Sequence, residues 1–253
     1  MYVRSFARRL HKSKTPALLF KLHIKKAFDS VKWEYILDLL QRLGSPAKFR
    51  DWIAALLSSS SSRILLNGIP GSPIKHGQGF RQRDPISPLL FVLAVNPLHQ
   101  ILDLATRKGL LHKIRDRGAM VRTSLYADDA AVFVAPIKTD IDNLASILEG
   151  FGEVTGLCTN FQKSSVVPIR CNHLNLEHIL EGVPTTRSCF PMKYLGLPLS
   201  VWQLKKVDFQ YLVDKAAGKL VTWEGQNITT IGCTALVKSV ISSQVVYSIT
   251  PLI

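Results

Sequence analysis

The eleven residues Ser124 to Val134, Ser-Leu-Tyr-Ala-Asp-Asp-Ala-Ala-Val-Phe-Val, constrain this chain more than any other stretch. Apolar and β-prone residues flank a small turn, and Asp128 and Asp129 sit side by side at its tip. Ionised carboxylates are costly to hold among Leu, Val and Phe unless something cationic meets them. A strand-turn-strand hairpin solves this by placing both at the bend, facing a cleft. Two readings stay open here. One is a site for a hard divalent cation, which takes oxygen ligands. The other is a polar β-turn, in which Asp is common.

The charge balance speaks to partners. Lys and Arg number 32 against 18 Asp and Glu, a formal net charge of +14 over 253 residues. Such a surface attracts polyanions, nucleic acid before anionic membrane. The basic residues spread over the whole length, which suits a basic groove better than a basic arm. Hydrophobic residues make up 47%, enough for a sizeable core. Cys158, Cys171, Cys189 and Cys233 show no close paired spacing. Neither a zinc site nor a disulfide-linked partner is expected, and a reducing intracellular setting, nucleus or cytoplasm, fits. The N-terminal segment with Arg4, Arg8, Arg9, Lys12 and Lys14 reads as a basic helix rather than a transit peptide. No apolar run is read as reaching the ~20 residues of a membrane span, so no membrane partner is expected.

Periodicity predicts the elements. Ala17 to Ile24 has strand length, with Lys21 and His23 on one face. Ser30 is a candidate helix N-cap, followed by Trp33, Ile36, Leu37, Leu40 and Leu43 at helical spacing and a stop at Gly44 and Pro46. A second amphipathic helix carries Phe49, Trp52, Ile53, Leu56 and Leu57, with its aromatics expected in the core. Arg63 to Leu66 reads as a strand before an Asn67-Gly68 turn. The loop from Gly77 to Pro88 ends in Ser87-Pro88, a capping hydroxyl followed by proline at the first helical position. A basic loop follows (Arg107 to Arg122), then the hairpin. Next come a helix from Asp140 to Phe151 closed by Gly156, a strand from Ser165 to Ile169, and a strand and bend from Phe190 to Gly196. A mostly helical tail runs from Leu204, with Trp223 in it.

Five ordered stretches together resemble the palm of a reverse transcriptase, in particular that of non-LTR (LINE-type) retrotransposons of plants. They are Phe20-Lys-Leu-His-Ile-Lys-Lys-Ala-Phe-Asp29, Phe80-Arg-Gln-Arg-Asp-Pro-Ile-Ser-Pro88, Tyr126-Ala-Asp-Asp129, Asn160-x-x-Lys-Ser164 and Phe190-Pro-x-x-Tyr-Leu-Gly196. The resemblance implies an α+β fold, a right-hand polymerase palm with an antiparallel sheet backed by helices, and a helical, truncated thumb. It sets residues 1–16 as a remnant of fingers or connecting helix, 17–200 as palm and 201–253 as partial thumb. The fingers would precede residue 1, and no endonuclease domain is expected. The implied activity is RNA-directed DNA synthesis on an RNA template and DNA primer, by nucleotidyl transfer on two Mg2+ ions.

Residue by residue, the resemblance implies Asp128 as the essential hairpin ligand of the metals and Asp129 as its assistant. Lys163 would protonate the leaving pyrophosphate. Phe28, Gln82 and Arg81 would face the nucleotide, Phe28 as the aromatic that blocks a ribose 2′-hydroxyl. Tyr194, Leu195 and Gly196 would grip the primer. Two departures matter. His23 stands where the family has an Asp ligand, and a neutral imidazole is a poor ligand for Mg2+. Asp29 lies past the strand end and reads as structural. Arg83 stands where the family has Gly, whose place it takes with added bulk and without the freedom of positive φ. Cys233, in a milder departure, stands where the family's thumb tends to carry Arg. The expectation is a pseudoenzyme, a degenerate palm that persists as a non-catalytic basic nucleic-acid-binding relic; the alternatives are a working polymerase and, more distantly, an unrelated basic RNA-binding domain. Its oligomeric state is left open.

Overall fold

Short apolar runs, buried on both faces, mark the central strands of this chain. The computed structural model describes residues 2–114, 122–126, 129–220, 229–242 and 246. It divides into two compact units, Leu10–Ser188 and a second formed by Met1–Arg9 with Cys189–Ile253. The basic N-terminal segment is helix α1 (Tyr2–Lys12), with Phe6, Ala7 and Leu10 buried.

The larger unit then runs through β1 (Ala17–His23), a helical turn α2 (Ala27–Ser30), and helices α3 (Trp33–Arg42) and α4 (Ala47–Ser58). Four short strands follow: β2 (Ser61–Ser62), β3 (Leu65–Leu66), β4 (Ile69–Pro70) and β5 (Ile74–Lys75). After them come α5 (Ser87–Arg107), β6 (Thr123–Tyr126), β7 (Asp129–Val134), α6 (Lys138–Thr155), β8 (Ser165–Ile169), α7 (Leu176–Leu180) and β9 (Thr186–Arg187).

The main sheet has the order β6-β7-β1-β8-β9. The first four strands are antiparallel neighbours, but β9 joins β8 in parallel, Ser165 beside Thr186 and Val166 beside Arg187. The sheet is therefore mixed, which corrects the antiparallel expectation. The chain enters β9 after crossing over through α7, and two paired residues carry too little hydrophobic pattern to foretell their direction.

Leu18, Phe20 and Leu22 of β1 point into the core, where α3, α5 and α6 supply Ile36, Leu40, Leu90, Phe91, Leu98, Ile141 and Leu144. The opposite face buries Leu19 beside Phe133 and Val167. Helix α5 is long and apolar enough, by length and composition, to cross a membrane, which corrects the reading that no run reaches that length. Eight of its residues are buried inside the protein, while Leu89, Val92, Ile101 and Leu104 are exposed.

Several local expectations shift. Ser30 closes α2 instead of capping α3, and its Oγ donates to Lys25 O at 3.2 Å. Ser87 is the first residue of α5, not its cap. Trp52 is 61% exposed with the Lys48 ammonium 5.3 Å over its ring, so it is not a core residue. The ends of the basic loop are tied by a buried group, Asp140. Its oxygens accept from His112 N at 2.9 Å and Nδ1 at 2.7 Å, and Arg122 Nη2 donates to His112 O at 2.7 Å. Burial pulls the Arg122 pKa down, and the charges of Asp140 and Asp103 oppose that.

The second unit contains a hairpin of β10 (Met192–Tyr194) and β11 (Leu197–Leu199). Leu195 and Gly196 form its bend, with φ of 50° and 78°. Positive φ at both central residues makes this a turn whose twist matches the strands it joins. Helices α8 (Gln210–Leu220) and α9 (Thr230–Leu236) follow, the latter running on into a π-helical turn, Val237–Ser242. Trp223 lies outside the described residues.

Candidate active site

Along β1 the face that buries Leu19 turns polar. Lys21 lies opposite Ala131 and Ser165, and His23 lies opposite Asp129. Directly opposed residues share a side of the sheet. Lys21, His23 and Asp129 therefore meet at one end of the sheet. Tyr126, paired with Asp129 on the other side, joins them. The Lys21 ammonium is 4.0 Å from Asp129 Oδ1, both groups being about one-third exposed or less, at 30% and 26%.

The backbone of residue 23 is held from the opposite edge. His23 N donates to Ser164 Oγ at 3.1 Å, and Asn160 N donates to His23 O at 2.7 Å. Ser164 is fully buried and its hydroxyl donates in turn to Asn160 O at 2.6 Å. Asn160 Oδ1 also accepts from Lys163 N at 3.2 Å, closing the short helical turn Phe161–Lys163. The Asn160-x-x-Lys-Ser164 stretch thus acts on position 23 through Asn160 and Ser164, while the Lys163 side chain is exposed. Sequence reasoning did not assign that role to Ser164, nor the pairing of Lys21 with Asp129. Both follow from strand register across more than a hundred residues.

A second cluster lies at the turn after β1. Gly79 N donates to Val31 O at 2.8 Å and Phe80 N to Phe28 O at 2.7 Å. Trp33 Nε1 donates to Gly79 O at 2.6 Å. A Cβ at Gly79 would sit 2.6 Å from Asp29 O, and its φ is +82°, so only glycine permits this close approach. Phe28 is partly buried and stacks on Phe91, centroids 4.6 Å apart. Gln82 Nε2 reaches Asp29 Oδ1 at 3.5 Å, and Arg81 Nη2 donates to Ser59 Oγ at 2.9 Å. Asp29, Ser60, Ser62, His76, Arg81 and Gln82 line a polar cleft of about 540 Å³.

Arg83 has φ +68°. The expectation that it gives up positive φ is corrected: the arginine adopts the left-handed backbone that glycine would adopt. Its guanidinium makes no hydrogen bond or ion pair among the described residues. In the other unit, Tyr194 is buried at the end of β10, with Leu195 and Gly196 at the bend beside it.

Asp128, the carboxylate expected to matter most, lies outside the described residues. Among the described residues no group of three or more His, Cys, Asp or Glu is placed to hold a metal ion. The donors described at the sheet end are one imidazole and one carboxylate, and the carboxylate already faces an ammonium. A pair of hard divalent ions needs several oxygen ligands and prefers them to nitrogen. Among the described residues the imidazole of His23 adds no oxygen ligand to such a site.

Comparison with known proteins supplies the lineage. Residues 3–199 match the family model described as Reverse transcriptase (RNA-dependent DNA polymerase). The Retrovirus-related Pol polyprotein from type-1 retrotransposable element R2 of Nasonia vitripennis is 32% identical over 155 residues, covering 61% of this chain and 14% of that protein. Its counterpart from type-2 retrotransposable element R2DM of Drosophila melanogaster is 25% identical, over 75% of this chain and 18% of that protein. The Transposon TX1 uncharacterized 149 kDa protein of Xenopus laevis is 25% identical, over 88% and 17%. The chain spans less than a fifth of the length of each of these three relatives.

Proposed function

Since this chain belongs to the reverse transcriptase (RNA-dependent DNA polymerase) family, as a domain of the non-LTR retrotransposon kind, we propose that it is a polymerase palm that keeps its nucleic-acid groove and has lost its metal-dependent chemistry. The family generally uses Mg2+, and the disagreement lies in the donors. One observation carries the reading: His23 lies opposite Asp129 in the β1–β7 register, beside Lys21. On this reading the position that should bring a second strand's carboxylate brings an imidazole, and the facing carboxylate has the Lys21 ammonium 4.0 Å away.

The remaining roles follow from the family pattern. Asp128 and Asp129 are the surviving acids of the hairpin, and the exposed Lys163 is the old proton donor. The cleft lined by Gln82 and Arg81 is the nucleotide pocket, Phe28 keeps the role of the aromatic that blocks a ribose 2′-hydroxyl, and Arg83 adds bulk where the family has Gly. The Tyr194–Gly196 bend is the primer grip, and residues 201–253 are part of a thumb. RNA template and DNA primer are the polyanions that the net charge of +14 serves.

The test is fluorescence anisotropy with a poly(rA)/oligo(dT) duplex, in Mg2+ and in EDTA, across a salt series. The reading expects affinity that falls steeply with salt, as phosphate contacts demand, and that Mg2+ does not enhance once ionic strength is matched. Flat salt dependence, or binding that requires Mg2+, contradicts it.

A further inference from the structure

Strands β2 to β5 stand apart from the main sheet as one long hairpin, and their pairing sorts its side chains onto two faces. Leu66 lies opposite Ile69, and Ser62 lies opposite Ile74. Opposed residues share a side, and alternation from Ser62 to Leu66 adds Ile64 to it. That face carries Ile64, Leu66, Ile69 and Ile74, which are 68%, 74%, 72% and 52% exposed. The reverse face carries Arg63 and Lys75, with Leu65 opposite Pro70.

A two-stranded hairpin is marginal in water unless its apolar face is covered. Four aliphatic side chains at these exposures present roughly 500 Å² per copy, so two such faces stacked together cover at most roughly 1,000 Å², the size of a weak, reversible contact. We propose that this face is a self-association surface, on which a second copy of the chain lays its own Ile64, Leu66, Ile69 and Ile74 about a twofold axis. A twofold contact of this kind is self-complementary by construction.

Charge selects the occupant. The aliphatic face bears no Lys, Arg, Asp or Glu; the one ionisable group at its edge is His76, whose Nε2 lies 2.7 Å from Ser62 Oγ, and Arg63 and Lys75 stay in water on the reverse face. Phosphates would find no cation on it. No Asp or Glu occurs between Asp51 and Asp84, so no acidic group of the hairpin holds the copies together. Two chains of net charge +14 repel, and salt screens that repulsion. The dimer therefore tightens as salt rises, the opposite of nucleic-acid binding.

The experiment is sedimentation velocity on the full chain, freed of nucleic acid by nuclease and kept reduced, over a concentration series at low and high salt. A monomer–dimer equilibrium in the micromolar range is expected, stronger at high salt. Ile64→Lys with Leu66→Lys weakens it by about tenfold or more, whereas Arg63→Glu with Lys75→Glu on the reverse face changes it by less than about threefold. All four replaced side chains are exposed, so the variants keep the fold, which their melting curves verify. A monomer at every concentration overturns the proposal. So does association that ignores the Ile64 and Leu66 changes, that responds more to the reverse-face pair, or that dissolves as salt rises.

Discussion

On the proposed reading positions 23 and 83 both depart from the reverse transcriptase pattern, and the structure treats them in opposite ways. At position 83 an arginine stands where the resemblance expects glycine, and its backbone sits at φ +68°. The stitched turn around Phe28, Val31, Gly79 and Phe80 holds the loop, and the arginine conforms. At position 23 the backbone is equally well held, by Ser164 and Asn160, but the change falls on the donor atom itself. Scaffolding can impose a dihedral angle on a foreign residue. It cannot turn an imidazole nitrogen into a carboxylate oxygen. On the proposed reading fold outlasts chemistry, because many contacts share the first and a few atoms carry the second.

Four measurements sharpen or break this contrast. The largest effect belongs to the backbone side: Gly79→Ala meets Asp29 O and a φ of +82° together, and is expected to cost about 3 kcal/mol. Chemical denaturation reads this, and a loss below about 1 kcal/mol would mean the loop gives way easily. Next, His23→Asp should create a Mg2+-dependent stabilisation of about 2–3 kcal/mol at saturating metal. The unmodified chain and Arg83→Gly should show none. Equal Mg2+ responses in all three would erase the distinction between the two positions. Arg83→Gly should stabilise the chain by about 1 kcal/mol by removing left-handed strain from a residue with a Cβ, and a loss instead would show that the guanidinium contributes. Smallest, Lys21→Met should change stability by less than about 1 kcal/mol, because a part-exposed pair at 4.0 Å is weak. Its use is to show whether the ammonium or the imidazole keeps metal away.

What was legible in the residues follows the range of the interactions. Helix α6 with its Gly156 stop and strand β8 stand out because their patterns are local and long. The approach of His23 to the Asp129 end of the hairpin was legible through the resemblance, since it depends on register between distant strands. The parallel seating of β9, the exposure of Trp52 and the Ser164 bridge were not, because each depends on what packs from elsewhere in the chain. The left-handed Arg83 was misread for a related reason. Intrinsic preference argued against it, and tertiary contacts overruled the preference.

The most direct measurement is primer extension on poly(rA)/oligo(dT) with Mg2+, comparing the unmodified chain with His23→Asp, Arg83→Gly and the double variant. The account predicts no extension above background from the unmodified chain or from Arg83→Gly. It predicts a gain of about 10²-fold or more wherever Asp returns to position 23. Robust Mg2+-dependent extension by the unmodified chain would contradict it.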